Sequence, residues 1–340
     1  MTRYLSIEDI VRQTGLEESV LRFYESEFPA ELPEKRLQGD RLLFHPAAVE
    51  AFRRIHQRYL RQNDAFDAAA ASYGRVVAIT SGKGGVGKSS LALNLAVELS
   101  RAGKLCILLD ADMGMANMHL MAGLAPQRDL RDCVAGRCQL ADCITEGPEG
   151  IGIIAGGSGA ISLADGDRSQ RLRVIDALAD MEAEADFIII DTGAGMGQGV
   201  RDFLVAADEL VFVLTPDLTA LADAYGLLKA VHTENPRPTP VYTVVNMVES
   251  LRQAADVANR FARCAEQFLG RQVTHLGYLL KDATAGAAIS RRQPYCCFKP
   301  EARISRNTRA VAAALLHADD PDQRLSSAFR RYLNLIEKTA

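Results

Sequence analysis

Apolar and polar positions follow two regimes along this chain. Up to residue 62 the apolar residues recur at helical spacing. Ile7–Thr14 reads as one helix, Gly15 as a turn and Glu18–Glu25 as a second helix. Arg36–Leu42 reads as a short wing. Pro46 starts a further helix whose inner face is Val49, Phe52, Ile55 and Tyr59. Residues 63–74 turn polar and then Ala-rich, as linkers do. From Arg75 onward strand-like apolar runs alternate with helical segments, the pattern of a parallel, doubly wound α/β sheet. Strands are predicted at Val76–Thr80, Leu105–Asp110, Gly152–Ala155, Phe187–Asp191, Leu210–Thr215, Val241–Asn246 and Gly277–Leu280. Leu91, Leu95 and Leu99 place one helix between the first two, closed by Gly103 at its C′ position. Beyond the acidic, Pro-containing break Asp319–Asp322, the residues Leu325, Phe329, Tyr332, Leu333 and Ile336 share one helical face. The chain therefore divides as 1–62, 63–74, 75–318 and 319–340.

Composition changes this picture little. The 340 residues are 48% apolar and 24% charged, enough to bury one large core and one smaller one. The formal charge of −4 gives no whole-chain reason to expect a polyanion as partner. No run reaches the length of a membrane span, and MTRYLSIEDIVRQ lacks the apolar core of a secretory peptide, so a cytoplasmic protein is expected. Of the seven cysteines, Cys133, Cys138 and Cys143 recur every five residues, and Cys296 and Cys297 are adjacent. Neither spacing is that of a zinc or iron–sulfur site, and reduced thiols are expected.

Candidate chemistry sits at the carboxyl ends of the predicted strands, where ligands bind in such sheets. Ser81–Ser90, SGKGGVGKSS, follows the first strand and fits G-x-x-x-x-G-K-[ST] through Gly82, Gly87, Lys88 and Ser89. Gly82, Gly84, Gly85 and Gly87 free the backbone N–H groups to cradle phosphate oxygens, with Val86 and Ser90 completing the ATP-binding loop. The next helix aims its N-terminus at the same anion. Lys88 is expected on the β and γ phosphates and the Ser89 hydroxyl on Mg²⁺. Asp110 would hold the metal's hydration shell, Asp112 would position the attacking water, and Asp191 is the acid of Walker-B type. Gly193 and Gly195 follow Asp191 and, with Asp112, form a segment able to move when the γ-phosphate leaves. Asn246 ends its strand with an amide that suits adenine, or serves as a turn former.

These residues carry a family resemblance. KGGVGKS with its second lysine, Lys83, together with LLDADMGMANMHLMAGL and IIIDTGAGMG, resembles the MinD/ParA group of deviant Walker ATPases. Within that group the chain is most similar to the flagellar number regulators called FlhG, FleN or YlxH. Asp223-Ala224-Tyr225, VVNMV and Arg292-Gln293-Pro294 extend the likeness over roughly Arg75 to Leu316. The resemblance implies a P-loop NTPase sheet, ATP and Mg²⁺ as cofactors, and a homodimer closed by ATP. It makes Lys83 the lysine that reaches the partner's phosphates, charge stabilisation in trans of a kind worth roughly 10³–10⁵ in rate in GTPases. It also implies slow, dimerisation-activated hydrolysis and a role in flagellar number and placement.

Residues 4–60 are similar to a MerR-type winged helix-turn-helix, most clearly at LRFYE, Leu21–Glu25. Residues 1–62 hold ten Lys and Arg against ten Asp and Glu, not the basic footprint of a DNA reader. Arg12, Arg22, Arg36 and Arg41 could form a local DNA-binding patch, or the module docks a protein. The short D-Q-A-x-x-L-R motif that activates the partner GTPase FlhF is absent; Asp64-Ala65-Phe66-Asp67 is not it. The partners implied are a second copy, an FlhF-like GTPase or a flagellar regulator, and DNA. The tail stripe Leu325–Ile336 resembles an amphipathic membrane-targeting helix, which would place the protein on the inner face of the cell membrane, or it packs on the protein's own sheet. A ParA-like partition ATPase and an ATP-gated transcription regulator stand as alternative functions.

Overall fold

The computed structural model describes residues 4–14, 16, 21–22, 24–25, 31–33, 35–38, 41–55, 73–112, 117–157, 168–235, 239–318 and 327–331. They fall into two compact units, residues 1–71 with 236–238 and residues 72–235 with 239–340.

The smaller unit is built on a few apolar anchors. The helix Ile7–Thr14 starts from a reciprocal cap in which Ser6 N–H donates to Asp9 and Asp9 N–H donates to the Ser6 hydroxyl. Strands β1 (Lys35–Gln38) and β2 (Arg41–Phe44) pair antiparallel with Lys35 opposite Phe44, which is the predicted wing. Ile10, Leu21, Phe44, Phe52 and Ile55 form its buried centre, so the helical run at 48–55 turns inward the face that the spacing predicts. Gly15, Tyr59 and most of the linker lie outside the described residues.

The larger unit carries one sheet in the order β10-β9-β8-β3-β7-β4-β6-β5. Its strands are β3 (Arg75–Thr80), β4 (Cys106–Ala111), β5 (Ile144–Glu146), β6 (Gly152–Ile154), β7 (Phe187–Thr192), β8 (Glu209–Leu214), β9 (Val241–Val248) and β10 (Thr274–Leu280). All pairings are parallel except β5 with β6. The central strands are apolar at every position because each face meets a helix layer. Val76, Ala78, Ile188 and Ile190 pack towards helices Arg168–Met181, Gln198–Ala206 and Leu218–Glu234. Val77, Ile79 and Ile189 pack towards helices Lys88–Arg101 and Arg303–His317. The sheet is doubly wound as expected, with strand β9 running on to Val248, two residues past the predicted end at Asn246, and with differences at β5 and β10 as well. Edge strand β5 alternates exposed and half-buried residues over three positions and has no apolar run to betray it. Strand β10 begins earlier, with the exposed residues Thr274 and His275.

At the amino ends of the strands Arg75, 2% exposed, grips Glu209 through two bonds of 2.7 Å. Close by, the carboxylate of Glu182 accepts from the Ser327 hydroxyl at 2.7 Å, Ala328 N–H at 2.8 Å and Phe329 N–H at 2.9 Å. Arg331 pairs with Asp208 and Arg330 with Asp180. The ring of Phe329 is fully buried in the sheet's own core. Of the two readings left open for the tail stripe, Phe329 follows the one that packs on the protein's own sheet: a buried carboxylate caps the start of the helical turn and the ring points inward. Leu325, Tyr332, Leu333 and Ile336 lie outside the described residues. No described helix is long and apolar enough to cross a membrane.

Candidate nucleotide site

Strand β3 ends at Thr80 and the chain enters a glycine loop that two neighbouring segments hold tightly. A Cβ on Gly82 would come within 2.2 Å of the Ala224 nitrogen, and one on Gly87 within 2.4 Å of the Asn246 amide. Gly87 also has φ of 93°, a left-handed value that favours glycine. Helix Lys88–Arg101 then begins with no side-chain cap, so its first N–H groups are left for an anion. Gly84 and Gly85 are exposed on the loop's crest, Val86 is buried beneath it, and Ser89 and Ser90 are half-buried in the first helical turn.

Parallel register brings the acids together. Strands β4 and β7 are neighbours, with Asp110 directly opposite Asp191, and Ile79 of β3 opposite Asp191 on the other side. Asp110 is buried and accepts from Asp112 N–H at 3.2 Å and Met118 N–H at 3.0 Å, which fastens the segment after β4. Burial pushes its carboxyl up to about 7 against those bonds. Asp191 is equally buried, and neither of its oxygens has a hydrogen-bond partner of good geometry. Burial first, and then the charge of Asp110, push it up to about 8, while the nearby Ser89 hydroxyl and Lys88 pull it down. Lys88 is 6% exposed; burial lowers its pKa and Asp191 and Asp112 raise it. Asp112 lies against Gly193, 3.5 Å from where a Cβ would be. Gly195, at φ 93°, sits in the turn before helix Gln198–Ala206.

A buried carboxylate with no internal donor beside a lysine and a hydroxyl is costly unless a cation completes it. This donor set of hard oxygens fits Mg²⁺, and the glycine cradle fits the phosphates of ATP. Ser89, Asp110 and Asp191 would hold the metal, which neutralises phosphate charge when bound. Beside this donor set Lys88 is buried near Asp191 and Asp112, and Asp112 lies against Gly193.

Two placements go beyond the predicted roles. Asn246 is nearly buried; its amide donates to Val86 C=O at 2.8 Å and its oxygen accepts from Met247 N–H at 2.8 Å. It braces the glycine loop, and the next residue, Met247, takes a left-handed φ of 59° within the end of β9. Lys83 extends from the rim, its side chain 45% exposed, and its ammonium bonds Asp217 at 2.6 Å and Thr219 at 3.0 Å. Asp217 also caps helix Leu218–Glu234 by accepting from Thr219 N–H, and its hydrogen bond from Lys83 holds its carboxyl well below the usual range. Lys83, Val86, Pro216, Met247 and Lys281 line a cavity of about 430 Å³ beside the loop. Asp217 and Thr219 were not among the candidate residues. Their only signal in the sequence is Asp-x-Thr after a strand, a capping pattern found at many helices.

In the smaller unit Arg12 projects from the first helix with its side chain 79% exposed, 3.8 Å from Asp9. Arg22 is exposed, and Arg36 lies 4.7 Å over the Tyr4 ring. Arg41 belongs to β2, and its side chain is outside the described residues.

Comparison with known proteins agrees with this geometry. Residues 74–237 match the AAA domain family, and residues 5–64 match the MerR HTH family regulatory proteins. The chain is 32% identical over 238 residues to the antiactivator FleN of Pseudomonas aeruginosa, covering 70% of this chain and 85% of that one. It is 29% identical over 272 residues to the flagellum site-determining protein YlxH of Helicobacter pylori, covering 77% and 90%. Among solved structures it resembles the septum site-determining protein MinD complexed with Mg-ADP from Pyrococcus horikoshii, with a TM-score of 0.59 at 22% identity over 71% of this chain and 96% of that one.

Proposed function

This chain belongs to the MinD/ParA-type ATPases, close to FleN and YlxH and with a MerR-like helix-turn-helix at its N-terminus, and from that premise we propose a dimerising switch that controls flagellar number or placement. ATP and Mg²⁺ are its cofactors. Two copies close face to face over two ATP molecules, slow hydrolysis parts them, and Lys83 of each copy serves the partner's phosphates.

One observation carries the reading. The site holds two lysines in opposite circumstances. Lys88 is buried beside the carboxylates. Lys83 is half-exposed at the rim and bonded to Asp217 and Thr219 instead of facing its own cradle. A surface ion pair of this kind is worth about 0–1 kcal/mol, so Lys83 exchanges partners at little cost. Asp112 in turn holds the attacking water, and the Gly193–Gly195 segment relays the loss of the γ-phosphate.

Residues 1–62 form the recognition module in this reading, 63–74 its linker, 75–318 the ATPase and 319–340 the tail. Exposed Arg12, Arg22 and Arg36 support a DNA contact. A tail meeting a membrane surface would do so without Phe329, which the core already holds. The test is turnover per molecule against protein concentration. A rate that rises with concentration, and that Lys83→Ala flattens, is expected. A rate independent of concentration in both proteins would refute the shared site.

A further inference from the structure

Away from the nucleotide, beyond β4, the cysteines that recur every five residues converge in space. Helix Leu130–Val134 carries Cys133, and the 3-10 turn Leu140–Cys143 brings Cys143 back beneath it. The Sγ atoms of Cys138 and Cys143 are 3.5 Å apart. Cys143 is buried, and its thiol also bonds the Asp129 carbonyl at 3.2 Å; Cys138 is half-buried and accessible. Among the described residues no group of His, Cys, Asp and Glu has the arrangement of a metal site. A disulfide needs the two sulfurs at about 2.0 Å, so the pair, already in contact, must close by about 1.5 Å.

We infer that Cys138 and Cys143 form a reversible thiol–disulfide site, with a hydroperoxide as oxidant and a small dithiol as reductant. The accessible Cys138 sulfur, as thiolate, attacks one peroxide oxygen. With hydrogen peroxide the O–O bond breaks, Cys138 becomes a sulfenic acid and the second oxygen leaves as hydroxide, which takes a proton from solvent to become water. The Cys143 sulfur then attacks the Cys138 sulfur. The S–S bond forms, and the sulfenic oxygen departs as a second water with the thiol proton. Two sulfurs give up two electrons in all, and one hydroperoxide is reduced. Burial raises the Cys143 thiol, and its contact with Cys138 adds to that. Cys133 lies near enough to influence both thiols, and burial raises its own. The bridge would tie the 3-10 turn to Cys138 and take from the Asp129 carbonyl its S–H donor. That carbonyl lies beside Leu130, whose N–H bonds the Ala155 carbonyl just past β6.

The sequence makes the test direct. Trypsin cuts after Arg137 and next after Arg168, which leaves Cys138 and Cys143 together in one peptide and Cys133 in another. The folded full-length protein is treated with hydrogen peroxide, alkylated, digested and weighed. The expected result is a 138–168 peptide lighter by two hydrogens and unalkylated at both cysteines, restored by dithiothreitol. Cys133→Ser should leave that loss intact, and Cys138→Ser should abolish it. Cys143→Ala checks the same loss without a hydroxyl in the buried position. Full alkylation of the peptide, oxygen added without an S–S bond, or a bridge from Cys133 would overturn the inference.

Discussion

The two ends of the sheet use buried carboxylates in opposite ways. At the amino ends of the strands, Glu182 is pushed up to about 7 by burial, yet three donors from Ser327, Ala328 and Phe329 satisfy it. At the carboxyl ends, Asp191 is pushed up to about 8 by burial and has only the nearby Ser89 hydroxyl and Lys88 to offset it, with no well-formed hydrogen bond to either oxygen. One acid is finished by the chain itself and fixes a tail. The other is left incomplete, and its completion must come from outside. A raised pKa alone therefore separates neither role; the supply of donors does.

The sharpest way to break this contrast is at the rim of the incomplete end. Lys83→Ala should lower dimer-dependent ATP turnover by about 10³-fold or more, while nucleotide binding measured by fluorescence is retained. Normal turnover in that variant would mean that the cradle needs no outside charge. Asp191→Asn should cost roughly 10–100-fold in turnover or Mg²⁺ affinity. Above about pH 8, where the acid would be charged, it should also raise the thermal midpoint of the nucleotide-free protein, because an unpaired buried charge is gone. A lowered midpoint would show that Asp191 has a structural partner after all.

The pH dependence sharpens the comparison at smaller scale. Asp191 and Asp110 rise from 3.8 to about 8 and about 7, and Glu182 rises from 4.5 to about 7. A raised acid binds its proton more tightly in the folded state. Its stabilising contribution is complete below about pH 4 and is lost as pH climbs through 7 to 8. Melting of the nucleotide-free protein should therefore shift downward over that range, and Mg·ATP should remove the share owed to the two aspartates. Glu182→Gln keeps a neutral acceptor and should remove only the remaining share. Glu182→Ala should cost about 1–3 kcal/mol through its orphaned donors, with turnover unchanged when assayed below the melting range.

The incomplete end was the legible one. Gly82 to Ser89 is a contiguous pattern, and Asp110 and Asp191 close apolar runs that parallel pairing places side by side. The local capping pattern at Asp217 was also visible, but its bond to Lys83 joins residues 134 positions apart. Glu182 lies 147 positions from Phe329 and sits in the run Met181-Glu182-Ala183-Glu184, where nothing marks it as buried. The stripe of Phe329 read equally as lipid-facing or core-facing, because amphipathic spacing records only that one side avoids water. Asn246 was legible as an amide near the end of a strand that in fact runs on to Val248, but its bond to Val86 spans 160 positions, so its use as a brace was not. Local motifs announce where an external ligand is needed. Internal satisfaction is a long-range property and leaves no period in the chain.

The central claim is that ATP joins two copies through a site that one copy leaves unfinished. Light scattering of Asp112→Ala with ATP and Mg²⁺ tests it most directly, since slowed hydrolysis should trap the joined state. The account predicts a mass twice that of the 36.9 kDa chain with ATP and a single-chain mass with ADP. A single-chain mass at every concentration with ATP bound would contradict it.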